Sequence, residues 1–270
     1  MDGALFIVLL AAPFAGSFLG VLIRRLPGGQ PVVMSRSACE QCGSRLTARD
    51  LVPLLSYVAA RGRCRYCHAS IGWFHPLVEL LALGVAVIVT CAGYMRFSIP
   101  DPVWVWSGCV LGWTLLALGW IDLKTLRLPD ALTLPLLLGG LVSCRLLSPA
   151  VVPEHAVAAV VGYGGFRLIA LIYHRLRGHE GLGMGDAKLL AAAGAWTGLG
   201  SLPFVIAGGA IVTLAGTGVA YTALSLRRQM DAGPVHGERG HVTAIRIPFG
   251  PGLGLMTWLV FLSDVGSGAS

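Results

Sequence analysis

Apolar runs separated by short polar segments dominate the chain. Eight runs approach the length that a hydrocarbon core of about 30 Å demands of a helix. They lie near 4–23, 76–95, 103–121, 131–147, 152–173, 187–200, 202–225 and 248–264. The sixth is short, and Gly198, Gly200 and Pro203 blur its boundary with the seventh. No basic segment precedes the first run, and Arg24 and Arg25 follow it, so it reads as a retained helix and not a cleaved signal peptide. The pattern predicts an all-α polytopic membrane protein of about eight transmembrane helices. Three regions follow: a first helix at 1–23, a polar cytoplasmic loop at 24–75, and a seven-helix membrane domain at 76–270.

Composition agrees. Charged residues make up 12% of 270 and hydrophobic residues 55%, whereas soluble domains carry about 25% charge. A mean hydropathy of +0.75 makes the bilayer the natural solvent. The basic residues then set orientation. Arg24, Arg25, Arg36, Arg45, Arg49, Arg61, Arg63 and Arg65 fall between runs one and two, and Lys124 and Arg127 between three and four. Arg175, Arg177 and Lys188 flank the connection from five to six, and Arg227, Arg228, Arg239 and Arg246 separate seven from eight. Thus 17 of the 20 Lys and Arg residues share one side; Arg96 and Arg145 lie opposite, and Arg167 lies inside run five, from which it can snorkel. By the positive-inside rule the crowded side is cytoplasmic and both termini face outward. Topology and attraction to anionic lipid account for the net charge of +7. With no basic–aromatic stripe or recognition module, nucleic-acid binding is not expected.

The loop at 24–75 holds Cys39 and Cys42, then Cys64 and Cys67, with 21 residues between the two C-x2-C pairs. Two such turns can present four thiolates to one tetrahedral zinc ion, and Gly43 and Gly62 permit tight backbone beside them. Disulfides or free thiols are the alternatives, but a cytosolic loop is reducing. A closed four-thiolate shell leaves no place for a reactive water, so the metal is structural and supplies folding energy to a loop with little core. Cys91, Cys109 and Cys144 stand singly in apolar runs and read as packed small hydrophobes.

Asp122 closes the third apolar run and Asp186 immediately precedes the sixth, both at the cytoplasmic edge. A carboxylate at mid-bilayer costs roughly 2.5–3.5 kcal/mol, so acids beside spans mark candidate sites. Two of them can hydrolyse a peptide when one is ionised and takes a proton from water while its protonated partner donates to the scissile carbonyl. Close carboxylates titrate as a unit. Gly181, Gly183 and Gly185 leave room for an extended substrate. The structural alternatives are an ion pair from Asp122 to Lys124 or Arg127, and a helix N-cap at Asp186. Asp130 suits either a helix N-terminus or a substrate contact. Glu79 suits a substrate contact or an arginine partner, and Lys188 follows Asp186 closely. His174, His179, Glu180, His236 and His241 read as loop residues more readily than as metal ligands.

In chain order, several segments resemble one family: GSFLGVLIRRLP (16–27), RSACEQC, DLVPLLSY (50–57), RGRCRYC, HPLVEL (75–80), IDLKTLRLPDALTLP, GLGMGDAKLLAAAGAW and IPFGP (247–251). The chain is similar to the bacterial prepilin peptidases, Gly-x-Gly-Asp membrane aspartic proteases also called type 4 prepilin leader peptidases. The resemblance implies that Asp122 and Asp186 are the catalytic pair and that the four loop cysteines bind zinc. It also implies a bacterial inner-membrane enzyme that cleaves basic leaders from type IV prepilins or type II secretion pseudopilins after a glycine. Many members then methylate the new N-terminal amine with S-adenosylmethionine. Gly20, Arg24 and His75 depart from the usual asparagine, tyrosine-like residue and tyrosine of the family pattern. A non-enzymatic zinc-binding scaffold of a secretion or pilus machine is the competing reading, and another Gly-x-Gly-Asp protease a third.

Overall fold

The computed structural model describes residues 3–32, 37–39, 41–178, 183–231 and 247–264. Regular structure among the described residues is helical: α1 (Gly3–Arg25), α2 (Leu55–Ala59), α3 (Phe74–Arg96), α4 (Pro102–Thr125), α5 (Asp130–Leu147), α6 (Val152–Arg177), α7 (Met184–Thr197), α8 (Leu202–Asp231) and α9 (Gly250–Asp264), with three short 3-10 turns. Arg36, His179, Glu180, Gly181, His236, Arg239, His241 and Arg246 lie outside the described residues.

Each apolar run forms a helix, though not all eight have the full length of a span. Among the described residues, six helices (α1, α3, α4, α5, α6 and α8) have the length and composition to cross a membrane. The 14 residues of α7 extend only about 21 Å, and the 15 residues of α9 are similarly short. Every residue from Leu189 to Thr197 is buried, and a helix that is apolar all round belongs inside a bundle. Small residues let its neighbours close on it: a Cβ at Gly194 would lie 2.5 Å from the Ala158 carbonyl oxygen of α6. Such close approach is how helices associate where lipid removes the hydrophobic drive.

The long helix α4 forms the centre, burying Trp104, Leu111, Leu118 and Ile121. Asp101 caps its start by accepting from the Val103 N–H at 2.7 Å, with Pro102 at the first position, where no N–H is needed. It ends where Leu126 enters the left-handed region at φ 53° and its N–H closes on the Asp122 carbonyl. Indole N–H groups tie neighbours together: Trp113 donates to Ala82, Trp258 to Gly108 and Trp196 to Leu136, at 2.8–3.0 Å. Outward faces carry apolar side chains, Phe6, Leu10 and Phe14 on α1 and Leu134, Leu138 and Val142 on α5, as a hydrocarbon solvent requires. Cys109 and Cys144 are packed inside as expected. Cys91 is a correction, since it is exposed, on the α3 face it shares with exposed Val87 and Ile88, four and three residues before it.

Candidate active site

Four chain segments meet at one end of the bundle: the last turn of α4, the α4–α5 connection, the first turn of α7 and the start of α9. Asp122 lies in that last turn of α4 and is only 5% exposed. Its Oδ2 accepts a hydrogen bond from the backbone N–H of Gly250 at 3.0 Å. Gly250 opens α9, so the carboxylate sits at the positive end of a helix dipole. The preceding Phe249 stacks on Phe166 of α6, with ring centroids 6.3 Å apart, and fixes that entry. A Cβ on Gly250 would fall 2.7 Å from Asp122 Oδ2. A larger residue at 250 would have to displace the carboxylate or the entry of α9. The expected ion-pair alternative does not describe Lys124, whose Nζ lies over the Phe74 ring at 4.7 Å.

Asp186 is the third residue of α7, and Gly183 occupies the N-cap. Its N–H donates to the Gly183 carbonyl at 3.2 Å, while its carboxylate accepts a backbone hydrogen bond from Gly183. Asp186 thus closes the helix start from inside the first turn and is not the N-cap. The charge on Asp122 acts on Asp186, so folding brings the two carboxyls within electrostatic reach of one another.

Two contacts lock the segments carrying these acids. A Cβ at Gly185 would lie 2.9 Å from the Leu128 Cβ, so the α7 start packs directly on the α4–α5 connection. Lys188 donates to Asp130 Oδ1 at 2.5 Å, joining the first turns of α7 and α5. Asp130 therefore sits at a helix N-terminus and also has a defined basic partner.

Glu79 stands apart from this pair. It is 6% exposed on α3, and its Oε2 accepts the Leu54 N–H at 2.8 Å; Ser17 of α1 also bonds to it. The partner is thus main chain and hydroxyl, not arginine. Leu54 has φ 57° and ψ −50°, and the Leu55 N–H reaches back to the Pro53 carbonyl at 2.6 Å. This is a γ-turn in the rare, strained form, held by a buried carboxylate. Neither Leu54 nor Ser17 was identifiable from sequence, since nothing local marks a leucine for positive φ.

The four loop cysteines converge. Their sulfur atoms all lie within 4.8 Å of one another, with Cys39 Sγ and Cys67 Sγ 3.9 Å apart. Tetrahedral zinc with bonds of about 2.3 Å needs sulfurs about 3.8 Å apart, so the donor set fits such an ion. Each pair forms a knuckle of the same design. The Gly43 N–H bonds to the Cys39 carbonyl and the His68 N–H to the Cys64 carbonyl, both at 2.9 Å. Both residues have positive φ, and His68 occupies in the second knuckle the place that Gly43 has in the first. Hydrogen bonding with Ser44 draws the Cys42 thiol down to about 6. Lys124 over Phe74, at the start of α3, puts this loop at the same end of the bundle as Asp122.

The departures at 20 and 75 form one feature. A Cβ at Gly20 would lie 2.8 Å from His75 Nδ1, so the histidine ring fills the space a larger residue at 20 would need. Arg24 lies over the adjacent Phe74 at 4.8 Å. Beside the second knuckle a cavity of about 540 Å³ is lined by Arg61, Arg63, Arg65 and His68 with Ala59, Ala60 and Cys64. Its positive lining opposes a sulfonium, so this cavity does not fit S-adenosylmethionine.

Comparison with known proteins covers both halves of the chain. Residues 10–93 match the bacterial peptidase A24 N-terminal domain, and residues 109–218 match the type IV leader peptidase family. A prepilin leader peptidase/N-methyltransferase of Aeromonas hydrophila is 35% identical, across 95% of this chain and 89% of that protein. Proteins of the same name from Burkholderia pseudomallei (strain 1026b) and Pseudomonas aeruginosa are 36% and 32% identical, across 87% and 94% of this chain and 78% and 88% of their own lengths. No solved structure matches.

Proposed function

We propose, from the premise that this chain belongs to the type IV leader peptidase family, that it is a membrane aspartic endopeptidase with Asp122 and Asp186 as its catalytic pair. Its substrate is a prepilin or pseudopilin helix whose leader is cut at the cytoplasmic face of a bacterial inner membrane. The observation that carries the reading is the convergence of Asp122 and Asp186 at one end of the bundle, each held by a backbone N–H. In the reaction the ionised carboxylate removes a proton from water as the oxygen adds to the scissile carbonyl carbon. The protonated partner gives its proton to the carbonyl oxygen. As the gem-diol collapses, one hydroxyl returns its proton to the second carboxylate and re-forms the C=O; the C–N bond breaks and the proton held by the first carboxyl passes to the leaving amine.

Cys39, Cys42, Cys64 and Cys67 would hold a structural zinc ion, which would supply folding energy to the loop at 24–75 ahead of the membrane domain at 76–270. The relatives are also named N-methyltransferases; such an activity would use S-adenosylmethionine as the methyl donor for the amine that cleavage releases. Orientation follows the arginine distribution, with the active site cytoplasmic and both termini outside. Gly183 and Gly185 border the cleft, whereas Asp130 and Lys188 brace it. Membership of a peptidase family favours an enzyme over the scaffold reading.

The test uses purified Asp122→Asn and Asp186→Asn variants with a prepilin substrate, with mass analysis of the product N-terminus. Both variants insert normally and leave the leader attached. Cleavage at the wild-type rate by either one would overturn the assignment. With labelled S-adenosylmethionine, the wild-type product gains a methyl group as well as losing its leader.

A further inference from the structure

The loop between α1 and α3 carries apolar surface that no part of the described bundle covers. On α2, Leu55 is 70% and Val58 72% exposed, and Trp73, just before α3, is 75% exposed. Leu55 and Val58 are three residues apart and so share a helix face. The Tyr57 and Trp73 rings are 5.5 Å apart, which joins α2 and Trp73 into one surface.

The backbone fixes the depth of this surface. The Leu54 N–H ends on Glu79, which lies about 7.5 Å along α3 from its first residue, at 1.5 Å per residue. Helix α2 begins at the next residue, Leu55. It therefore lies level with the first turns of a spanning helix and cannot stand out in bulk water. Tryptophan just outside a span is typical of the headgroup region.

Charge selects the occupant. Arg61, Arg63 and Arg65 follow α2 at once and line the 540 Å³ cavity with His68; Arg65 is shared with Asp50 at 3.4 Å. The proposed substrate's leader is basic and would be repelled here. A phosphate would not.

We propose that Leu55, Val58, Trp73 and the cavity of Arg61 and Arg63 form an interfacial platform that seats the four-cysteine loop on anionic phospholipid. The apolar side chains enter the headgroup boundary, and the arginines hold a lipid phosphate. Covering surface at this depth is how peripheral amphipathic segments bind membranes. The platform goes beyond the proposed reaction and does not depend on it.

The experiment is amide hydrogen exchange on the full-length, metal-loaded protein in nanodiscs. One set contains phosphatidylcholine alone, and the other includes phosphatidylglycerol. Exchange across residues 55–66 slows in the anionic discs. Two arginines at a charged surface shift the opening equilibrium by roughly thirtyfold, and the paired variant Arg61→Glu/Arg63→Glu loses that difference. Leu55→Gln/Val58→Gln exchanges faster in both lipids. Bound metal is measured for every variant, and the wild-type comparison between lipids stands alone if a variant fails to fold. Equal wild-type exchange in the two lipids would overturn the proposal. So would full protection in phosphatidylcholine on adding inorganic phosphate, or protection that appears only with a prepilin peptide.

Discussion

Gly250→Ala tests how the proposed pair is held. The added methyl would sit 2.7 Å from Asp122 Oδ2 and 3.2 Å from its Cγ, below any stable contact, so carboxylate and α9 entry must separate. The 3.0 Å bond from the Gly250 N–H is then lost or lengthened. A hydrogen bond to a charged group is worth about 1.5–3 kcal/mol. If that is forfeited in the transition state, kcat falls roughly 10- to 150-fold. The assay is single-turnover cleavage of a prepilin substrate by purified enzyme, with KM measured separately. Gly254→Ala is the control on the same helix, because its nearest contact is the flexible Leu115 Cδ2 at 3.3 Å. It should lose little. A Gly250→Ala enzyme with wild-type kcat would refute the geometry at Asp122, whereas equal losses in both variants would point to damage to α9 in general.

Three further outcomes follow from the same geometry. Gly185→Ala should cost about 1–3 kcal/mol by overpacking; because the clash is with the Leu128 Cβ, Leu128→Ala should not rescue its thermal stability and Leu128→Gly should. Breaking the Asp130–Lys188 pair, in which the acid side chain is 56% exposed, should cost no more than about 1 kcal/mol, so Lys188→Met should cleave within about fivefold of wild type, read as kcat/KM. Ser44→Ala removes the contact that lowers the Cys42 thiol to about 6. A higher thiol pKa means protonation competes with metal at higher pH, so a zinc-release titration should shift to higher pH; an unchanged midpoint would show that Ser44 does not tune the ligand.

The elements were legible because each apolar run had to become a helix once lipid replaced water as solvent. What composition could not say is which helices face that lipid. The alanine- and glycine-rich run that became α7 is as apolar as a span, yet at 14 residues it is wrapped by its neighbours. Burial by protein and burial by lipid select the same residue classes, so a window of hydropathy cannot separate them. The same limit applies to Cys91, which differs from Cys109 only in the face it occupies.

The site divides along a different line. The proposed pair Asp122 and Asp186 stands out because a charge beside a span is costly, and the four cysteines because two C-x2-C pairs have metal-ligand spacing. Their supports are silent. Gly250 reads in sequence as the entry to a last helix, and only the fold shows that its missing Cβ makes room for an acid far away in the chain. Leu54 is more extreme. Leucine has no propensity for a positive φ, so its strained turn exists because Glu79 accepts its N–H. Removing that carboxylate therefore removes the reason for the turn, and with it the anchor that sets the depth of α2. Chemistry-bearing residues can be read from their own cost in the bilayer; positioning residues carry no such local cost and become visible only through the partner they serve.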